Sequence, residues 1–166
     1  LYINLYNAAM LQAVLDHYPI KSVKAIGLLP FAIFKRNFIP LGDDMVSLDD
    51  VEKGILLKRY SDPRIHFAVN CASQSCPPLR AEPFIASRLK AQLDEQTALF
   101  ARSDRAARIY PGQRSIAYSE LFNWYTDDFA GSHPAEFLNR YRKKKLPVDD
   151  SITWIHYDWS LNIAKH

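Results

Sequence analysis

The stretch Asp62-Pro63-Arg64-Ile65-His66-Phe67-Ala68-Val69-Asn70-Cys71-Ala72-Ser73-Gln74-Ser75-Cys76-Pro77-Pro78-Leu79 decides how this chain is read. It holds both cysteines of the protein and one of its five histidines. Asp62-Pro63 reads as a turn. Arg64 to Cys71 is mostly apolar on both faces, the pattern of a central strand. Period two then puts His66, Ala68 and Asn70 on one face, and Ile65, Phe67, Val69 and Cys71 on the other. Ala72 to Ser75 is small and polar, so it can turn tightly and expose backbone N–H groups. Pro77-Pro78 fixes the exit.

A histidine and a cysteine this close are the residue types of a thiolate nucleophile with an imidazole base. The chemistry needs the thiol ionised near neutral pH, which a neighbouring imidazolium or a helix start can bring about. Backbone N–H groups in the turn would stabilise an oxyanion. A third polar group orients the histidine, and Glu52, Asn7, Asp158 and Asn162 are the candidates. A regular strand points Cys71 away from His66, while Cys76 is free to fold back. A strand that ends at Asn70 lets Cys71 reach as well. The candidate catalytic residues are therefore His66, Cys71, Cys76 and Glu52, and the candidate binding residues are Asn7, Ser73, Ser75 and Asp158. The competing reading is structural: a strand-end cysteine as a small buried hydrophobe, and a strand histidine hydrogen-bonded in the core. Zinc on His66, Cys71 and Cys76 would lack a fourth ligand and a familiar spacing, so no metal ligands are assigned and no cofactor is expected. A Cys71–Cys76 disulfide can also close across the turn, but the spacing is not C-x-x-C.

Upstream, Leu1 to Tyr18 reads as a buried helix with Asn7 on its inner face, where an amide must be hydrogen-bonded. Ser22 caps a short helix through Ile26. Phe38-Ile39 and Met45-Val46 flank Leu41-Gly42-Asp43-Asp44 as a small hairpin, with Pro40 on an edge. Ser47 and Asp50 form the ends of a capping box, opening a helix to about Tyr60. Its apolar stripe is Leu48, Val51 and Ile55. Glu52 stands in the row beside it between Leu48 and Leu56, and a carboxylate edged into apolar surface needs a partner.

Downstream, Pro83 opens a helix to about Arg102 with Ile85, Leu89, Leu93 and Phe100 inward. Arg108 to Tyr110 and Ser115 to Tyr118 flank Pro111-Gly112-Gln113 as a second hairpin. Ser119 caps a helix carrying Leu121, Phe122, Trp124 and Tyr125, and Ser132 with Pro134 starts another. Ile152 to Trp159 is a final strand with Trp154, His156 and Asp158 on one face.

At 166 residues the chain fits a single domain, residues 1–166, long enough to bury a core. With 48% hydrophobic and 23% charged residues it has a soluble globular profile, and no apolar run approaches a membrane span. The net charge of +3 gives no reason to expect nucleic acid. The basic cluster at Arg140, Arg142, Lys143, Lys144 and Lys145 falls at a helix end, where cations complement the dipole. Leu1 already lies inside a helical pattern, so the N-terminus is expected to be truncated, and compartment is not read from the sequence.

At these residues the chain resembles a known family, the one catalogued as domain of unknown function 547, found in bacteria, plants and animals. The matching pieces are Ile3-Asn4-Leu5-Tyr6-Asn7-Ala8, then Ser47-Leu48-Asp49-Asp50-Val51-Glu52 with Gly54-Ile55-Leu56. Next come Asp62 to Ala68, Asn70 to Ser73, Ser75 to Leu79, and Tyr157-Asp158-Trp159-Ser160-Leu161-Asn162. They occur in family order across almost the whole chain. The family often has His where this chain has Lys53. At the position of Cys76 members can carry Ser or Asp, whereas Cys71 varies less. The resemblance thus favours Cys71 as the functional thiol, against the strand argument. The order of elements also looks loosely like a transglutaminase or papain core, in which the helix-start position, normally Cys, would fall near Asn7. The expectation is an α+β fold with a small, mainly antiparallel sheet flanked by several helices. The expected function is a cysteine-dependent hydrolase or acyl transferase on an amide, small or peptide-like substrate. The alternative is a non-catalytic binding or scaffold domain using the same cleft.

Overall fold

The stretch that reads as a central strand folds as a helix. In the computed structural model, which describes residues 1–110, 115–148 and 151–163, Pro63–Phe67 is a single 3-10 segment. Asp62 caps it: the Arg64 N–H donates to Asp62 Oδ1 at 3.0 Å, and Pro63 occupies the first helical position, where a missing N–H costs nothing. Ile65, His66, Phe67, Ala68, Val69 and Asn70 are all buried. An apolar run buried on every side suits a central strand or a core helix, and periodicity does not separate the two.

This segment is the seam between two clusters of apolar side chains. Ile65, Ala68 and Val69 belong to a cluster built on helix α1 (Tyr2–Asp16), with Tyr6, Met10, Leu48, Val51 and Leu56. Phe67 belongs to the other, with Phe100, Ile116, Tyr118, Phe122, Phe129, Phe137 and Tyr157. His66 sits between them in sequence and is itself buried.

On the first side follow a 3-10 turn (Val23–Ala25), the short helix α2 (Ala32–Lys35) and the antiparallel hairpin β1 (Ile39–Leu41) and β2 (Asp44–Val46), in the register Ile39 opposite Val46. The capping box forms as expected: Ser47 N–H donates to Asp50 Oδ2 at 2.9 Å, and Asp50 N–H to Ser47 Oγ at 3.0 Å. Beyond it the helix is not regular. Asp50–Leu57 is a π-helix, continued by α3 (Lys58–Tyr60). The wider turn moves the inward row to Val51 and Leu56, leaves Ile55 only half-buried, and carries Glu52 into the interior.

A 3-10 turn (Ala86–Arg88) leads into α4 (Leu89–Ala101), later than Pro83 predicts, because the preceding backbone is held elsewhere. Phe84 N–H donates to Asn4 Oδ1 at 2.9 Å and Ile85 N–H to Gln92 Oε1 at 2.8 Å. The buried face of α4 is accordingly Gln92, Leu93, Gln96, Thr97 and Phe100, while Ile85 and Leu89 face solvent. Arg64 pins the seam to α4 through Asp94 at 2.8 Å.

On the second side, β3 (Ala107–Ile109) pairs antiparallel with β4 (Ile116–Ser119), and β4 pairs parallel with β5 (Ile152–Ile155). The fold is α+β, with one small antiparallel and one small mixed sheet. The turn at Pro111-Gly112-Gln113 lies outside the described residues. Two helices, α5 (Leu121–Trp124) and α6 (Pro134–Asn139), are separated by a 3-10 turn, Thr126–Phe129. β5 ends at Ile155, short of the predicted Trp159, because residues 157 to 162 leave the sheet to strap the turn at 72–75. In the basic cluster Lys145 and Arg142 donate to the carbonyls of Asn139 and Ala101 at the ends of α6 and α4.

Candidate functional site

Asn7 and Asn70 build the turn that carries the thiols. The buried Asn7 side chain donates to Ala68 O at 2.9 Å and accepts from Asn70 N–H at 2.8 Å, tying α1 to the end of the 3-10 seam. Asn70 Nδ2 donates to Pro77 O at 2.6 Å, and its Oδ1 accepts from Ala72 N–H at 2.8 Å. These bonds hold Ala72 at φ +60, a left-handed conformation unusual for a residue with a Cβ. The C-terminal strap closes the other side. Asn162 N–H donates to Ala72 O at 2.8 Å, Gln74 N–H to Ser160 O at 2.9 Å, and Asp158 N–H to Ser75 Oγ at 2.9 Å.

Within this frame Cys71 is half-buried and Cys76 buried, both as free thiols. Cys71 Sγ lies 3.1 Å from Ser73 Oγ and 3.4 Å from Tyr157 OH. The Cys71 N–H donates to Cys76 Sγ at 2.9 Å. Burial pushes the Cys71 thiol up, but hydrogen bonds from Cys76, Ser73 and Tyr157 outweigh it and bring its pKa down to about 7. Burial, and then the neighbouring Cys71, push Cys76 the other way. Cys71 is the thiol that ionises.

His66 Nε2 lies 2.8 Å from Asp128 Oδ2. A carboxylate only accepts, so Nε2 carries the hydrogen and Nδ1 the lone pair. Nδ1 has no hydrogen-bond partner among the described residues, and no polar side-chain atom there is both fully buried and unpartnered. It therefore keeps contact with the cleft that His66 lines. Burial lowers the pKa of His66, with Asp128 acting in opposition, so the ring is neutral at neutral pH and equipped as a base.

The ring of His66 packs at 4.1 Å, centroid to centroid, on Tyr125, whose hydroxyl donates to the buried Glu52 carboxylate at 3.0 Å. Burial raises the pKa of Glu52, opposed by hydrogen bonds from Tyr125 and Tyr6. Glu52 thus reaches His66 through Tyr125, and the direct orienting contact expected of Glu52 or Asn7 is made by Asp128. Asp158 does not touch His66 either. It accepts from Ser160 N–H at 2.9 Å on the rim.

His66, Cys71, Cys76, Glu52, Tyr125 and Tyr157 line one cleft of about 470 Å³, walled by Phe31, Phe34, Trp124 and Trp159. The strand reading separates His66 from Cys71. The 3-10 turn removes that separation and both side chains meet the same cavity. Among the described residues no group of three or more His, Cys, Asp or Glu side chains is placed to hold a metal ion, and no helix is long and apolar enough to cross a membrane.

The family model described as protein of unknown function, DUF547, matches residues 1–101. The chain belongs to the DUF547 family. The matched range contains Asn7, Glu52, His66, Cys71, Ser73, Ser75 and Cys76; Tyr125, Asp128, Tyr157 and Asp158 come from beyond it. No curated protein and no solved structure matches the chain. Three side chains of this DUF547 site escape a reading of the sequence. Asp128 is one of two adjacent acids on a short turn, and nothing local marks it. Tyr125 reads as one more apolar helix residue. Tyr157 belongs to a family piece but alternates away from the face expected to matter.

Proposed function

We propose that this protein is a cysteine-dependent hydrolase or acyl transferase acting on an amide or peptide-like substrate. The observation that carries the reading is Cys71: a half-buried thiol with a pKa of about 7, lining the same cleft as a histidine anchored on a carboxylate. In the proposed reaction the Cys71 thiolate attacks the substrate carbonyl carbon and forms a tetrahedral oxyanion. Neutral His66 takes the Cys71 thiol proton on Nδ1 as the sulfur attacks, and when the intermediate collapses with cleavage of the C–N bond it gives that proton to the departing amine. Nδ1 then takes a proton from water, or from an acceptor amine, as it attacks the thioester. The acid or new amide leaves, and Cys71 is regenerated. Asp128 keeps the proton on Nε2 so that Nδ1 does this work. Phe31, Phe34, Trp124 and Trp159 would seat apolar parts of the substrate.

The test uses p-nitrophenyl acetate as an acyl donor. The expected result is a burst of nitrophenol, an acetyl group on Cys71 seen by mass spectrometry, and its loss with time in the wild type but not in His66→Ala. Release no faster than in Cys71→Ala would leave a binding cleft without chemistry and contradict the proposal.

A further inference from the structure

Residues 27 to 32 form a narrow loop at the edge of the cleft. Its base is pinched: a Cβ on Gly27, which stands at φ +106, would lie 2.8 Å from the Cβ of Ala32. Ala32 N–H closes the loop on Leu29 O at 3.0 Å, and Phe31 turns back at φ +66. The tip carries Leu28 and Leu29, 101% and 71% exposed. Singly exposed leucines are ordinary, but two adjacent ones on a protruding tip have no role in the core.

Cations surround this tip. Lys24 Nζ stands 5.2 Å from the Phe31 ring centroid, and Lys35 lines the cleft beside Phe31. Lys21 and Arg36 are exposed on the same segment, and no acidic residue occurs between Asp16 and Asp43. None of these four cations forms an ion pair among the described residues. The acids nearest along the cleft wall are already engaged: Asp49 pairs with Lys53 at 3.0 Å, and Glu52 is buried. An aliphatic tip on a segment whose charged side chains are all cationic is the pattern that inserts at the headgroup level of an anionic bilayer.

We infer that the Leu28-Leu29 loop docks the protein on an anionic lipid surface, with Lys21, Lys24, Lys35 and Arg36 meeting the headgroups. Phe31 and Lys35 also line the cleft, so docking sets its mouth against the membrane. The inference stands apart from the cysteine chemistry. Each leucine withdrawn from water strengthens partitioning about tenfold or more, and each cation near the surface about fivefold.

The experiment is vesicle co-sedimentation with phosphatidylcholine alone and with about 30 mol % phosphatidylserine, at about 0.1 M and about 0.5 M salt. The wild type is expected to sediment with the serine-containing vesicles, less so at high salt. Leu28→Ser/Leu29→Ser should weaken this at least tenfold, and Lys21→Glu/Lys24→Glu should weaken it comparably. Because Leu28 and Leu29 are exposed, the leucine variant should keep the wild-type circular dichroism spectrum and Cys71 alkylation rate. A wild type that stays in the supernatant at low salt, or binding that survives loss of both leucines in a folded protein, would overturn the inference. Retention on an immobilised polyglutamate peptide without vesicle binding would assign the loop to an acidic polypeptide instead.

Discussion

His66 and Asp128 stand 62 positions apart in the chain and meet through a 2.8 Å contact between Nε2 and Oδ2. The contact joins the 3-10 seam to the 3-10 turn after α5, and it decides which ring nitrogen faces the cleft. Asp128→Asn removes the charge and leaves a side chain that can equally present a donor. Acyl transfer to and from Cys71 should fall about a hundredfold, measured in single turnover. The thermal midpoint should move little, because Asp128 is only partly buried.

Tyr157 sits 3.4 Å from the Cys71 sulfur and shares the thiol with Ser73. Both hydroxyls favour the thiolate. Tyr157→Phe and Ser73→Ala should each move the alkylation midpoint of Cys71 upward from about 7, and together they should move it further. The pH dependence of iodoacetamide labelling in each variant reads this directly.

Asn7 satisfies two backbone groups at once, Ala68 O and Asn70 N–H. Asn7→Leu leaves both buried without partners and should cost about 2–4 kcal/mol of stability in urea unfolding. It should also slow labelling of Cys71, since the turn starts at Asn70. Asn7→Asp keeps the acceptor for Asn70 and should lose less.

Glu52 makes a pH-dependent contribution of defined sign. Its folded-state pKa is raised above the ordinary 4.5, by burial. The folded state therefore holds the proton more tightly than the unfolded one. Wild-type stability from this group is present below pH 4.5 and is lost as pH rises through the folded value. Glu52→Gln cannot ionise but still accepts from Tyr125. Its stability relative to wild type should climb from pH 4.5 upward and then level off. A flat difference across that range, by urea unfolding at stepped pH, would show that Glu52 ionises as freely in the folded protein as in the unfolded one.

Local signals were legible where a short-range bond decides the structure. Ser47 and Asp50 announce their helix because the capping bonds span three residues, and the β1–β2 hairpin follows from Gly42 and its flanking apolar pairs. The 3-10 seam is not legible, although Asp62-Pro63 is itself a helix-start signature, because the apolar run behind it has no period of its own. The π-helix is hidden for a related reason. Its inward pair, Val51 and Leu56, is five residues apart, outside the three-and-four spacing that marks an α-helix. His66, Cys71 and Cys76 were legible as chemistry-bearing types. Their geometry depends on Asp128, Tyr125 and Tyr157, which come from the later half of the chain that builds the second apolar cluster and leave no trace near position 66.

The most direct measurement is the pH dependence of alkylation at Cys71 and Cys76, followed separately by mass spectrometry in the wild type and in His66→Ala. Cys71 is expected to react with a midpoint near 7 while Cys76 stays slow. Because Ser73, Tyr157 and Cys76 lower the Cys71 pKa and His66 is neutral, that midpoint should survive His66→Ala even though acyl turnover does not. Two thiols that both titrate like free cysteine, near ~8.5, would contradict an activated Cys71 and with it the proposed chemistry of the cleft.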